Sequence, residues 1–228
     1  MSRSRFYRRA LMIGGVCVGG FVVFFIVAWN TTFNDVADRR SAANMHAILL
    51  ALKVYHADYG RLPPSHILDE RGRPKHSWRV LILPYLGEQG LYDRYRFDEP
   101  WDSRHNLDVA SQVPKHFQCS GTSGDSETCY VAIVGKDTLW DHSDEAVRNR
   151  VALAEISSPG PGWTEPRDLS LDDLSKSMLG TGDVPRMAFW SRGGPKVATL
   201  DRPLYLPPSA SSETVNELVT CGQATSRN

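Results

Sequence analysis

The chain has no excess of charge of either sign: 26 basic residues stand against 26 acidic ones over 228 positions. It has no basic, aromatic-interleaved patch of the kind that gives nucleic-acid binding its electrostatic footprint, so nucleic acid is not an expected partner. Cysteine is scarce, four in all, and never spaced C-x-x-C, which removes a thioredoxin-like dithiol and a zinc ribbon. Phosphate-cradling loops are missing as well. Gly180-Thr181-Gly182 and Gly193-Gly194 lack the lysine or helix start that such a loop needs. Asp141-His142-Ser143-Asp144-Glu145 has no G-x-S-x-G elbow, and triad members converge from different elements rather than from adjacent positions. That segment reads as a solvated loop.

What is present is one long uncharged run. Ala10 to Trp29, ALMIGGVCVGGFVVFFIVAW, is 20 residues without a charge, preceded by Arg3, Arg5, Arg8 and Arg9. At about 1.5 Å per residue a helix of this length spans roughly 30 Å, the hydrocarbon thickness of a bilayer, and satisfies its own backbone there. A secretory signal would be shorter and end in small residues, and only Arg8-Arg9 suggests a twin-arginine signal. A prepilin leader would need a glycine just before the run and a glutamate soon after the cut. Gly20-Phe21 instead splits the run, with Phe25 in the glutamate's place. A retained single-pass anchor is the preferred reading, with residues 1–9 as a cytoplasmic basic flank, 10–29 as the transmembrane helix and 30–228 as an extracytoplasmic domain of the bacterial inner membrane. Within the span, Gly15 and Gly19 form a G-x-x-x-G, a candidate helix-pairing face; the alternative is an ordinary glycine-containing anchor.

Setting aside the four leading arginines leaves 22 basic residues against 26 acidic ones, and six tryptophans and eight tyrosines predict packing rather than disorder. Met45, Ile48, Leu49, Leu52, Tyr55 and Tyr59 recur at three and four before Gly60, which predicts an amphipathic helix over 34–59 with one inward apolar stripe. Asp69 to Pro74 reads as a turn. Short helices are expected over 77–113, and a sheet region over 116–206. Its predicted strands are His116–Cys119, Thr128–Val134, Val151–Ile156, Arg186–Trp190 and Lys196–Leu200, with a terminal helix at 212–220. Helices followed by strands predict an α+β fold.

Two candidate sites follow from residue types. Cys119 and Cys129 flank a polar loop that a disulfide would close, with Cys17 in the membrane and Cys221 free or bonded between chains. Asp98, Glu99 and Asp102, with His105 behind, offer carboxylates to a hard cation such as calcium. They lack the ligand alternation and glycine of an EF-hand, and the alternative is a structural turn pinned by Trp101. His46 and His56 are ten residues apart, about 80° out of alignment on a helix, and do not share a face. No cofactor is expected.

Several runs taken together carry a resemblance: Asn44-Met45-His46-Ala47-Ile48 to Tyr55-His56-Ala57-Asp58-Tyr59-Gly60, then Leu62-Pro63-Pro64, Ser77-Trp78-Arg79-Val80-Leu81-Ile82-Leu83-Pro84-Tyr85-Leu86, and Asp98-Glu99-Pro100-Trp101-Asp102-Ser103 with His105-Asn106. Tyr130 to Gly135 and Trp163-Thr164-Glu165-Pro166-Arg167-Asp168-Leu169 continue it. In this order they resemble the domain-of-unknown-function 1559 family, abundant in planctomycete bacteria and pseudopilin-like. The resemblance implies a pilin-like architecture: a long N-terminal helix, its first half membrane-spanning, packed on an antiparallel β-sheet with short helices. The chain departs from the family in its leader and in a C-terminal element, where Ser191-Arg192-Gly193-Gly194 and Asp201-Arg202 stand in place of a histidine followed by Asp-Gly.

The expected function is non-enzymatic: a membrane-anchored pseudopilin-like protein acting in extracytoplasmic assembly or surface interaction beside a secretion or pilus-like system. Its expected partners are membrane lipid and, through the N-terminal helix, a second copy or secretion-system proteins. A tethered ligand- or calcium-binding module is the alternative, and an extracytoplasmic hydrolase comes third.

Overall fold

The structure, a computed structural model, describes residues 32, 35–119, 126–141, 150–157, 160–179, 181–187, 189–190, 194–206, 217 and 219. The apolar run 10–29, with Gly15 and Gly19, lies outside the described residues, and no helix among those described is long and apolar enough to cross a membrane. Contacts divide the chain between Arg39 and Arg40. The smaller unit is helical at residues 35–39, and the larger one, from Arg40 onward, holds every element below.

Helix α1 of this unit covers 40–59. Met45, Ile48, Leu49 and Leu52 are 0–1% exposed, and each such burial contributes about 1.5–3 kcal/mol. Gly60, at φ +71°, stops the helix by donating its N–H to the His56 carbonyl, 2.8 Å, a left-handed cap that glycine adopts without a Cβ clash. Two features differ from the predicted stripe. Tyr59 is exposed and lies against the Tyr55 ring, centroids 4.4 Å apart, and Leu50 and Val54 form a second apolar line on the outer side.

Strands β1 (His66–Leu68) and β2 (Pro74–Ser77) pair antiparallel around the predicted polar turn. Asp69 Oδ1 accepts the Arg71 and Arg73 amides at 2.9 and 2.8 Å and so closes that turn. The flanking strands are too short to show a period in the sequence. Short helices α2 (Trp78–Leu81), α3 (Gln89–Arg94) and α4 (Arg104–Ala110) follow, with Ser77 and Ser103 capping α2 and α4 through their hydroxyls. The strand expected at His116–Cys119 is instead a 3₁₀ turn over Lys115–Phe117. Pro114 starts it, the Phe117 amide donates to the Pro114 carbonyl at 2.9 Å, and Phe117 is buried between the Trp78 and Trp163 rings.

The main sheet runs in the order β5 (Leu169–Ser170), β3 (Tyr130–Val134), β4 (Val151–Glu155), β7 (Gly194–Thr199), β6 (Phe189–Trp190), with β8 (Pro203–Tyr205) also on β7. All its pairs are antiparallel except β3–β5, so the sheet is mixed rather than purely antiparallel. Alternation along β3 sends Tyr130 and Ala132 to one face and Val131 and Ile133 to the other. The first face joins the α1 residues, Trp78, Phe117 and Trp163 in one core. The second packs with Leu174 of α5 (Leu171–Leu179), Met187, Leu206 and Val219. Of the expected terminal helix, only residues 217 and 219 are described, both helical. The fold is α+β: a six-stranded main sheet with both faces covered, and the separate two-stranded β1–β2 sheet.

Candidate functional site

Arg79 is a charge placed by a four-residue helix into the core, with none of its surface exposed. Its Nε and Nη2 donate to the Tyr130 carbonyl at 3.1 and 2.8 Å, Nη1 to Ser77 Oγ at 2.9 Å, and Nη2 also to Asp168 Oδ1 at 2.7 Å. Asp168 accepts in addition the Ala132 amide at 2.7 Å and the Trp78 indole N–H at 3.1 Å. Burial pushes the Asp168 carboxyl above the usual range, opposed by Arg79, the Ala132 amide and the Trp78 indole. The same burial lowers Arg79, opposed by Asp168. All the described partners of the Asp168 oxygens are donors, so a carboxyl proton there would meet no acceptor, and the pair stands as carboxylate and guanidinium. A buried pair of this kind is costly to break from one side, because the remaining charge is left uncompensated. It ties α2, β3 and the segment before β5 to one point.

A second polar node organises residues 75–106. His76 is 1% exposed, with Nε2 2.9 Å from the Phe97 carbonyl and Nδ1 3.0 Å from the Tyr95 hydroxyl. The carbonyl can only accept, so the neutral ring carries its proton on Nε2 and Nδ1 accepts from Tyr95. Lys75 Nζ donates to the Phe97 and Asp98 carbonyls at 3.0 and 2.8 Å, and the Trp101 amide donates to Lys75 O at 3.0 Å. Asn106, fully buried, donates to the Arg96 and Pro100 carbonyls, both at 2.9 Å, and accepts the Arg96 amide at 3.0 Å. The residues considered as calcium ligands sit on the outside of this turn. The Glu99 carboxylate meets Arg96 at 2.7 Å, which with the Ser103 hydroxyl holds it below the usual carboxylate range. Asp98 and Asp102 are exposed. Among the described residues no group of three or more His, Cys, Asp or Glu side chains is placed to hold a metal ion.

A third node lies under α1. Ser41 Oγ donates to Glu155 Oε2 at 2.6 Å, Lys196 Nζ lies 3.5 Å from the same oxygen, and all three side chains are buried. The Tyr130 hydroxyl is buried beside them; burial and the Glu155 charge raise it above the ordinary phenol value. Near the 119–129 loop, Cys119 and Cys129 are joined by a disulfide with their Cα atoms 5.3 Å apart. Asp141 accepts the Asp137 amide at 3.1 Å, and residues 142–149 lie outside the described residues.

The surface holds shallow grooves. One of about 550 Å³ runs beside the β1–β2 hairpin, bordered by Ile67, Leu68, Arg73, Lys75 and Phe97. Two of its cations are engaged, Arg73 with Asp69 at 2.8 Å and Lys75 with two carbonyls, and Arg71 also lines it. Another, about 750 Å³, lies between Arg96, Arg104, His105 and Leu107. His105 Nε2 donates there to the Arg94 carbonyl at 2.8 Å.

The buried polar groups of these three nodes thus hold the fold together. A family model described as protein of unknown function (DUF1559) matches residues 39–170. The chain belongs to that family. The DUF1559 span encloses α1 from its first buried turn, the hairpin, the short helices and β3 to β5, and so both partners of the Arg79–Asp168 pair and the whole His76–Asn106 wall. Lys196, by contrast, lies beyond it. Comparison with curated proteins and with solved structures returned no match.

Neither buried ion pair was singled out from sequence, although the signal existed. Arg79 interrupts Trp78-Arg79-Val80-Leu81-Ile82-Leu83, Glu155 closes Val151-Ala152-Leu153-Ala154, and Lys196 precedes Val197-Ala198. A charge set inside an apolar run needs a buried partner of opposite sign.

Proposed function

We propose that this DUF1559 protein is a non-enzymatic, single-pass membrane protein. Residues 10–29 anchor it in the bacterial inner membrane with the basic N-terminus inside, and the α+β body works outside in assembly or surface interaction, in the manner of a pseudopilin. The observation that carries the reading is the union of α1 with the sheet: Met45, Ile48, Leu49 and Leu52 share one core with Tyr130, Ala132, Ala152 and Ala198. A helix fixed in this way to a body, and preceded in sequence by 20 uncharged residues, is suited to holding that body at a lipid surface. The His76–Asn106 wall supports the same reading, because its polar side chains are turned inward on backbone carbonyls and so act as scaffold.

Expression of the full chain and of a deletion of residues 10–29 in a bacterial host tests the anchor. After alkaline carbonate washing the full chain should stay in the membrane pellet and the deletion should move to the supernatant. Release of both would defeat the proposal.

A further inference from the structure

The charged node under α1 is one row across the main sheet. Strand register sets Tyr130 of β3 opposite Glu155 of β4, and Lys196 of β7 opposite Tyr205 of β8. The Ala154–Val197 pair of β4 and β7 then brings Glu155 and Lys196 directly across from each other. The row lies on the face covered by α1, from which Ser41 reaches Glu155 Oε2 at 2.6 Å. Ser41 and Lys196 have none of their surface exposed, and Glu155 has 1%. At the outer end the Tyr205 ring lies 5.3 Å from Lys196 Nζ. A lysine amine ordinarily runs out to water, and holding it and a carboxylate in a dry core is costly unless their contact is close. Charge-assisted hydrogen bonds close to about 2.7–2.9 Å, as Arg79 does on Asp168 at 2.7 Å. Lys196 Nζ instead stands 3.5 Å from Glu155 Oε2, an amine nitrogen beside a carboxyl group in a site closed to water.

We propose that Lys196 and Glu155 become joined by an amide bond between Nζ and the side-chain carboxyl, a covalent staple from β4 to β7 made after folding. The step needs no oxidant and no second reactant. Nζ passes one proton to the carboxylate oxygen Oε1, and its freed lone pair attacks Cδ. The C–N bond forms, the Cδ–Oε1 bond breaks, and Oε1 departs as water with that proton and a second one from Nζ. Ser41 Oγ, already donating to Oε2, faces the negative charge that gathers on this oxygen during the attack. The Tyr130 hydroxyl, buried in the same row and without a hydrogen-bond partner among the described residues, is the donor available to the departing oxygen. Opposed positions on paired strands hold the two ends together, so the condensation is an intramolecular step at high effective concentration. Its product exchanges two buried charges for one neutral amide whose carbonyl keeps the Ser41 hydrogen bond, and the cost of burying the ion pair is gone. The staple ties a strand of the DUF1559 span to one beyond it, and it forms whether or not residues 10–29 enter a bilayer.

Mass spectrometry of the full chain, purified folded in detergent and then reduced and digested, tests this. The digest should contain a branched peptide in which the stretch holding Glu155 is joined to the stretch holding Lys196, lighter by one water than the two linear peptides together. In Lys196→Arg, which keeps the charge and loses the primary amine, and in Glu155→Ala, the branched peptide should vanish. The intact mass of each variant should then equal that of its uncrosslinked sequence, with the missing water restored. Recovery of the two linear peptides from the wild-type chain with no branched one would overturn the bond. So would a loss of one water that persists in Lys196→Arg, which would place the dehydration elsewhere. The wild-type digest answers by itself, whether or not a variant folds.

Discussion

His76 is one buried side chain through which pH acts on this fold. Burial holds its pKa below the ordinary 6.5, opposed by the Phe97 carbonyl and reinforced by the Lys75 charge. With the folded value depressed, the unfolded chain binds the proton more readily, so the contribution of His76 is complete above pH 6.5 and is lost as pH falls through the folded value. Full-chain protein in detergent should therefore lose stability on acidification from pH 7 to 5, with a slope from this group of at most about 1.4 kcal/mol per pH unit. His76→Gln, which keeps a donor and an acceptor, should flatten that slope in urea titrations at each pH. A slope should remain from His116, whose burial lowers its pKa as well. An undiminished slope in His76→Gln would exclude the assignment.

At the scale of elements, the Arg79–Asp168 pair binds α2, β3 and the approach to β5. Asp168→Ala strands a buried guanidinium and removes the acceptor of Trp78 and Ala132, a loss of about 3–5 kcal/mol in urea unfolding followed by tryptophan fluorescence. Lys176→Ala, which breaks the exposed pair with Asp172 on α5, should leave the curve almost in place; equal effects of the two substitutions would contradict the account. The elements also differ in how far sequence reveals them. Helix α1 was readable because four turns repeat one period, and the core strands because Tyr130–Val134 and Val151–Glu155 are apolar runs of strand length. The parallel pairing of β5 was not, since two residues carry no period. Helix α5 was missed although it had a signal: Ser170 Oγ accepts the Asp173 amide at 3.1 Å while Asp173 accepts from Ser170, a reciprocal cap visible as Ser170-Leu171-Asp172-Asp173. The outward position of Leu50 and Val54 on α1 was not read from the sequence, where they neighbour the inward stripe. Only the exposure of Leu50 and Val54 distinguishes a second apolar face from a broad first one.

For the whole molecule, the DUF1559 span and the uncharged run make different demands. Within the span 39–170 the Arg79–Asp168 pair and the His76–Asn106 node are satisfied by partners inside the span. The run 10–29 lies outside the described residues, and the proposed anchor assigns it to the bilayer. The central claim is that the first faces the cell exterior while the second crosses the membrane. Labelling with a membrane-impermeant maleimide tests it most directly, using the full chain with Cys17→Ser and Cys221→Ser and a single new cysteine at Ser4 or Glu70. In intact cells Glu70→Cys should be labelled and Ser4→Cys should react only after permeabilisation. Protection of Glu70→Cys until lysis, or labelling of Ser4→Cys in intact cells, would contradict the account.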